Sequence, residues 1–195
     1  MKNLMLNSAI KECSIKYKQA LTRLANQGGN NMNYHNITKT DMLNGEGIRV
    51  VLWVAGCEHN CKNCQNPQTH PHDSGISFDE DAKQELFEAI DKDYIAGVTL
   101  SGGDPLSKFN REEILSLVIE LKTKFPNKTI WCYTGYKWEE VKDMSGIQNI
   151  DVLVDGKYVE ELKTPSPMWC GSSNQRIIDV KESLKANKIV LYKTM

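Results

Sequence analysis

Three of the six cysteines lie within eight residues, and their spacing has the clearest chemical meaning in the sequence. Cys57, Cys61 and Cys64 form the pattern C-x3-C-x2-C. A [4Fe–4S] cluster normally takes four cysteine ligands, so three local thiolates would leave one iron open to another ligand. An open coordination position is typical of reactive metal sites, whereas structural sites are closed. The triplet therefore predicts an iron–sulfur cluster with one accessible iron.

Zinc is the alternative metal for the same thiolates, because it accepts cysteine and histidine ligands together. His59 lies inside the triplet, and His70 and His72 follow it. Structural zinc sites usually combine two close ligand pairs, and His70 with His72 makes a poor second pair. The spacing favours iron–sulfur chemistry but leaves a non-catalytic zinc or iron–sulfur binding module open. The remaining cysteines are isolated and are predicted to pack as small apolar side chains: Cys13, Cys132 and Cys170.

The composition of the 195-residue chain is that of an ordinary globular domain, with 40% hydrophobic and 25% charged residues. Its longest apolar run, residues 50–55, is far shorter than the ~20 residues that a membrane helix needs. The formal net charge of −1 gives no general positive field for nucleic acid. Charged residues interrupt the N-terminal segment, so we expect no secretory signal and a cytoplasmic protein with reduced thiols.

After residue 31, apolar runs alternate with amphipathic segments, which predicts alternating strands and helices. These elements must position the cysteine triplet. One apolar run leads directly into Gly56-Cys57, and a second leads into Gly102-Gly103. The carboxyl ends of parallel strands meet at one edge of a sheet, so these turns, Gly135 and Asp155-Gly156 should converge on one rim. Strands are predicted over residues 49–55, 96–100, 129–133, 151–154 and 188–192. Helices are predicted from the cap at Ser77 to Ile90 and over residues 111–125 and 137–144.

The predicted helices carry start signals, and the chain also carries an N-terminal extension. Ser77 with Glu80 forms a capping box, and Asn110 is a candidate N-cap for the second helix. Residues 1–31 contain five basic residues and one acidic residue, with apolar positions at helical spacing followed by an Asn- and Gly-rich stretch. We therefore predict an appended N-terminal helix or disordered extension over residues 1–31, ahead of a domain over residues 32–195.

The cysteine triplet after the first strong strand, together with the loop Ser101–Pro105, resembles the radical S-adenosylmethionine superfamily. Within it, the chain is similar to the family of anaerobic ribonucleoside-triphosphate reductase-activating proteins, which are glycyl-radical-enzyme activases. The resemblance implies an α/β fold, a partial, open (β/α) barrel of the radical S-adenosylmethionine type, because the chain is shorter than the ~250 residues of a closed barrel. The resemblance covers about residues 32–176, and the segments that carry it are 32–34, 44–49, 99–106, 130–131, 133–136, 151–158, 169 and 171–176.

The resemblance implies an oxidoreductase in which Cys57, Cys61 and Cys64 each bind one iron of a [4Fe–4S] cluster and S-adenosylmethionine binds the fourth. Reductive cleavage would give a 5′-deoxyadenosyl radical, which generates a glycyl radical on the large catalytic subunit of anaerobic ribonucleoside-triphosphate reductase. A one-electron donor such as a flavodoxin-type reductant would supply the electron. No catalytic side chain is expected, since the chemistry belongs to the cofactor. The implied S-adenosylmethionine contacts are Asn63, Cys64, Gln65 and Gly103, with Gly102 and Asp104 as further candidates.

Three positions depart from the family pattern. Asn63 stands where the family often has glycine, Gln65 where it usually has tyrosine, and Cys170 where a basic residue is expected. Asp104 is a candidate either for a cosubstrate contact or for a turn residue, and Asp155 for a cosubstrate or glycine-loop contact or a plain Asp-Gly turn. A pyruvate formate-lyase-type activase and a deazaguanine-type synthase are the alternatives within the superfamily.

Overall fold

The fold is a mixed α/β structure built on one seven-stranded sheet, given by a computed structural model that describes residues 32–165 and 168–193. The predicted extension at residues 1–31 lies outside the described residues. The strands are β1 Asn33–Asp41, β2 Arg49–Val54, β3 Ile76–Ser77, β4 Gly97–Gly102, β5 Thr129–Tyr133, β6 Val152–Asp155 and β7 Arg176–Asp179. Their order in the sheet is β3-β1-β2-β4-β5-β6-β7. The central strands β2, β4, β5 and β6 are parallel, whereas β1 and β7 pair antiparallel to their neighbours.

The α-helices of the described part follow the sheet strands closely in sequence. They are α1 Glu80–Ile90, α2 Arg111–Lys124, α3 Trp138–Val141 and α4 Val180–Ala186. Single turns of 3-10 helix lie at Pro67–Thr69, Ile147–Asn149 and Glu160–Leu162. No helix within the described residues is long and apolar enough to cross a membrane.

Four of the predicted strands are confirmed as the parallel core of the sheet, β2, β4, β5 and β6. The prediction of a last strand over residues 188–192 is wrong, because Leu191 forms only an isolated bridge to Ile178, which belongs to β7. Strand β1 was not predicted from the sequence, because it is largely polar and half exposed. A strand with this burial pattern carries no continuous apolar run, which is the signal that identifies strands buried on both faces.

The start of each long helix differs from its predicted cap. Asp79, rather than Ser77, caps α1, since its carboxylate accepts a hydrogen bond from the Ala82 amide at 3.0 Å. Asn110 precedes α2 without capping it. Its buried amide instead donates to the carbonyl oxygens of Ala55 at 2.7 Å and Asp104 at 2.9 Å, and so ties the helix start to the rim of the sheet.

The two faces of the sheet have different surroundings. In β2, Val50, Leu52 and Val54 belong to the main hydrophobic core together with the apolar faces of the helices. The alternate residues Arg49 and Trp53 project to the opposite face, because successive strand side chains alternate. Trp53 lines a cavity on that face. The helices of the described part thus pack on one face. The other face carries a smaller apolar cluster around Trp131, Val152 and Val154, and the cavity lies beside it.

Candidate functional site

The predicted rim forms one cavity of about 440 Å³, a size typical of small-molecule sites. The turns that follow β2, β4, β5 and β6 all contribute to it, so the predicted convergence is confirmed. All three cysteines of the triplet line the cavity, as do Gln65, Gly102, Gly103, Asp104, Gly135 and Gly156. Asn63 is not among the lining residues.

Backbone hydrogen bonds and two residues in the left-handed conformation define the shape of the cysteine loop. Its start is fixed by hydrogen bonds from the Gly56 amide to the Thr69 carbonyl at 2.8 Å and from the Cys57 amide to the His70 carbonyl at 2.9 Å. Asn60 and Asn63 have φ values of 47° and 53°, in the left-handed region. Asparagine and glycine tolerate this conformation best. The departure at position 63 therefore replaces glycine with the side chain that suits the same backbone.

The donor set fits an iron–sulfur cluster, because three thiols open on one cavity. Burial raises the pKa of Cys57 to about 11 and also raises that of Cys61. Metal binding requires thiolates, so cationic irons would compensate a charge that this environment disfavours. Among the described residues, no three His, Cys, Asp or Glu side chains stand close enough to hold a single metal ion. A cluster needs no such approach, since each thiolate binds a separate iron.

The glycine-pair loop lies directly against the start of the cysteine loop. The Asp104 amide donates to the Gly56 carbonyl at 2.8 Å, and the Gly103 amide donates to the Val54 carbonyl at 2.7 Å. A Cβ atom at Gly103 would lie 2.6 Å from the Gly56 oxygen, too close for any side chain. Gly102 has a φ of 101°, which glycine adopts without strain. Both glycines are therefore required by backbone packing.

Asp104 is a junction between loops. Its side chain is 1% exposed and accepts hydrogen bonds from four donors. These donors are the amides of Leu106 and Gly135, at 2.8 and 2.9 Å, the Thr134 hydroxyl at 2.9 Å and His59 Nε2 at 2.6 Å. The local turn contact to Leu106 is thus one of several, and the carboxylate joins the loops after β2, β4 and β5.

Asp155 is buried, and its carboxylate is engaged within the chain. It accepts hydrogen bonds from the Trp138 amide at 2.7 Å and from Arg176 Nε at 2.9 Å. The guanidinium of Arg176 also pairs with the exposed Glu139. Hydrogen bonding to Asp155 raises the pKa of Arg176. The position therefore does more than form an Asp-Gly turn, because it connects β6, β7 and the start of α3.

We expect Arg176→Met to lower the free energy of unfolding by about 3 kcal/mol, because it leaves the buried Asp155 carboxylate without its charged partner. Urea denaturation of the purified protein measures this loss. Glu139→Gln is the matched control, since it removes the exposed partner of the same guanidinium and should cost less than about 1 kcal/mol. Equal losses in the two variants would contradict the assignment.

Sequence reasoning assigned no site role to several residues that line the cavity. Gln175 is one, and its side-chain oxygen accepts from the Gly171 amide at 2.8 Å while its Nε2 donates to the Gly156 carbonyl at 3.0 Å. The only available signal was the resemblance carried by residues 169–176. Other lining residues without a predicted role include Asn66, Thr134, Tyr158 and Trp169.

The isolated cysteines have different environments. Cys132 is buried in the main core, as predicted. Cys170 is half-buried and packs against the apolar cluster of Trp131, Val152 and Val154, as predicted, and it also lines the cavity. Cys13 lies outside the described residues.

Comparison with known proteins matches most of the chain. A family model described as a 4Fe-4S single cluster domain matches residues 43–178. Three curated relatives carry the name anaerobic ribonucleoside-triphosphate reductase-activating protein. The one from Enterobacteria phage T4 is 47% identical over 146 residues, which are 75% of this chain and 93% of the relative. Those from Haemophilus influenzae and Escherichia coli K12 are 42% and 43% identical, over 75% and 74% of this chain and 97% and 96% of their own lengths.

Proposed function

The chain belongs to the family of anaerobic ribonucleoside-triphosphate reductase-activating proteins, and from this premise we propose that it activates such a reductase by radical S-adenosylmethionine chemistry. The product would be a glycyl radical on the large catalytic subunit. One observation carries the proposal: the cysteine triplet and the glycine-pair loop line the same cavity and touch through their backbones.

Cys57, Cys61 and Cys64 would hold the [4Fe–4S] cluster. When bound, the cluster supplies the electron that cleaves S-adenosylmethionine to methionine and a 5′-deoxyadenosyl radical. The cosubstrate would occupy the adjoining part of the cavity, against Gly102 and Gly103, whose lack of side chains lets a ligand approach the main chain. Contacts from Asn63, Cys64, Gln65 and Asp104 complete the proposed set, with Asn63 acting through its backbone.

The remaining task of the chain is orientation and protection. A carbon radical abstracts hydrogen from any suitable donor in near contact, so the cavity must hold the cosubstrate still and exclude water. Hydrogen bonds hold the loops around the cavity: Asp104 and Gln175 line it, and the buried Asp155 precedes the lining residue Gly156. No acid–base pair is needed for hydrogen-atom transfer, because the proton and electron move together.

The cavity side of the sheet, on which none of the helices in the described part of the chain packs, would admit the partner. We place the fold among partial, open (β/α) barrels, whose missing wall suits a macromolecular substrate. A glycine loop of the reductase could reach the cavity from this side. Glycine suits the reaction because its Cα radical is delocalised between the amide nitrogen and the carbonyl group and carries no obstructing side chain.

Deuterium transfer tests the proposed function. We expect deuterium placed at the Cα of the target glycine to appear in 5′-deoxyadenosine when the reconstituted chain, its reductase subunit and S-adenosylmethionine are mixed anaerobically. The electron can come from dithionite or from a flavodoxin-type donor. An organic radical on the partner should appear in the electron paramagnetic resonance spectrum.

A reductase subunit with that glycine replaced by alanine is the control and should give no radical. Cleavage without deuterium transfer would refute the glycine assignment. Activity on a pyruvate formate-lyase-type partner, or coupled cleavage with a purine or pterin precursor, would instead support one of the alternative radical enzymes. Absence of cleavage with a fully loaded cluster would favour a non-catalytic binding module.

A further inference from the structure

His59 joins the cysteine loop to the glycine-pair loop. It lies between Cys57 and Cys61 in sequence, and its side chain is only 6% exposed. Its Nε2 atom lies 2.6 Å from the Oδ2 atom of Asp104. A carboxylate oxygen only accepts, so Nε2 donates this hydrogen bond. The contact spans 45 residues of sequence and links the loop after β2 to the loop after β4.

Packing contacts hold the imidazole ring of His59 in one orientation. A Cβ atom added at Gly135 would lie 2.3 Å from its Cδ2 atom, so the ring packs directly on the backbone after β5. The edge of the ring also meets Tyr136, with ring centroids 4.7 Å apart and an interplanar angle of 72°. Packing on one side and the hydrogen bond to Asp104 on the other leave the ring little freedom.

We propose that His59 is a positioning residue that acts through Asp104 and sets the cysteine loop at a fixed distance from the glycine-pair loop. These loops are the proposed supports of the cluster and of S-adenosylmethionine, so the inference rests on the proposed function. His59 itself lines the cavity, but its Nε2 atom is occupied by the hydrogen bond to Asp104, so we assign it to the positioning of the two loops and not to a direct contact with a reacting atom. A small displacement of one loop relative to the other should slow the reaction strongly, because radical and electron transfer both require near contact.

A pair of amide variants separates the hydrogen bond from general polarity. His59→Gln places an amide nitrogen near the position of Nε2, whereas His59→Asn ends near the position of Nδ1 and falls short of Asp104. We expect both proteins to retain a full cluster after anaerobic reconstitution. His59→Gln should resemble the wild type. His59→Asn should raise the KM and Kd for S-adenosylmethionine about ten- to a hundredfold, the change expected when the free energy of this internal hydrogen bond to a charged group must instead be taken from ligand binding.

Three readouts complete the test: iron content, equilibrium dialysis with S-adenosylmethionine, and the electron paramagnetic resonance spectrum of the reduced cluster. The wild type and His59→Gln should show a spectral change when S-adenosylmethionine is added, and His59→Asn should require much more of it. His35→Gln is the control, because His35 binds Ser74 and does not line the cavity.

Equal KM values and spectra in His59→Gln and His59→Asn would overturn the inference. Loss of iron in His59→Asn alone would also overturn it, since His59 would then serve cluster retention. If the wild type itself neither binds nor cleaves S-adenosylmethionine, the proposed function fails, which the wild-type measurements reveal independently of the variants.

Discussion

Alanine at Cys57, Cys61 or Cys64 is expected to reduce cleavage of S-adenosylmethionine to below about one hundredth of the wild-type rate. Loss of a residue that only supports a metal ligand typically costs ten- to a hundredfold, and loss of a ligand itself should cost more. Each of the three thiols lines the cavity from one short loop, so each substitution would remove the thiolate proposed to bind one iron. The measurements are 5′-deoxyadenosine formation and bound iron after anaerobic reconstitution.

Cys170→Ser is the sharpest control for the cysteine variants, since Cys170 lines the cavity but lies outside the triplet. It should retain the cluster, as should Cys13→Ser. Activity in two of the three triplet variants would disprove the ligand assignment. Loss of iron in Cys170→Ser or Cys13→Ser would show that the ligand set was chosen wrongly.

Gly102→Ala is expected to weaken S-adenosylmethionine binding by at least about a hundredfold. The alanine Cβ would lie 2.7 Å from the Val54 carbonyl oxygen and 2.8 Å from the Val54 amide nitrogen, and both are backbone atoms that cannot turn away. The positive φ adds strain of about 1–3 kcal/mol. The loop must therefore move away from β2, and with it the surface on which the cosubstrate is proposed to rest. Binding is measured by equilibrium dialysis with the reconstituted protein.

Gly146→Ala is a matched control for the backbone strain. Gly146 has a φ of 102°, nearly equal to the 101° of Gly102, but its added Cβ would meet the Leu115 side chain at 3.2 Å. Gly146 precedes a 3-10 turn and does not line the cavity. The control should lower the melting temperature by a few degrees and leave binding unchanged. Equal loss of binding in both variants would show that strain alone, and not loop contact, is responsible.

The parallel core of the sheet was predictable because each of its strands can be recognised from its own short segment of sequence. β2 is buried on both faces, so it reads as a continuous apolar run that ends at Gly56. Parallel pairing then requires the following loops to share one edge, which places the cysteine triplet beside Gly102 and Gly103 without any further information. The polar strand β1 gave no comparable signal. Its position is decided by pairing with β2, a tertiary contact that a single segment does not reveal.

The polar connections of the site were not predictable from the sequence. Asp104 has an obvious local role before a proline, and its bond to His59 becomes visible only when two loops meet. Asp155 likewise has a local Asp-Gly interpretation, but its partner Arg176 lies 21 residues away. The N-cap of α1 was also assigned to the wrong residue. Ser77 and Asp79 are both good N-cap residues, and only the observed start of the helix shows that Asp79 is the cap.

Sharing one carboxylate among three loops has a consequence for how this site tolerates sequence change. His59, Thr134 and Gly135 all direct a donor at Asp104, so the effect of altering one depends on whether the others are present. Substitutions with common partners are generally non-additive, unlike those at distant sites. Amino-acid substitutions at these positions therefore depend on one another. A substitution that is neutral with one set of neighbouring residues becomes damaging with another. The order in which mutations accumulate would then decide which variants of the site remain reachable.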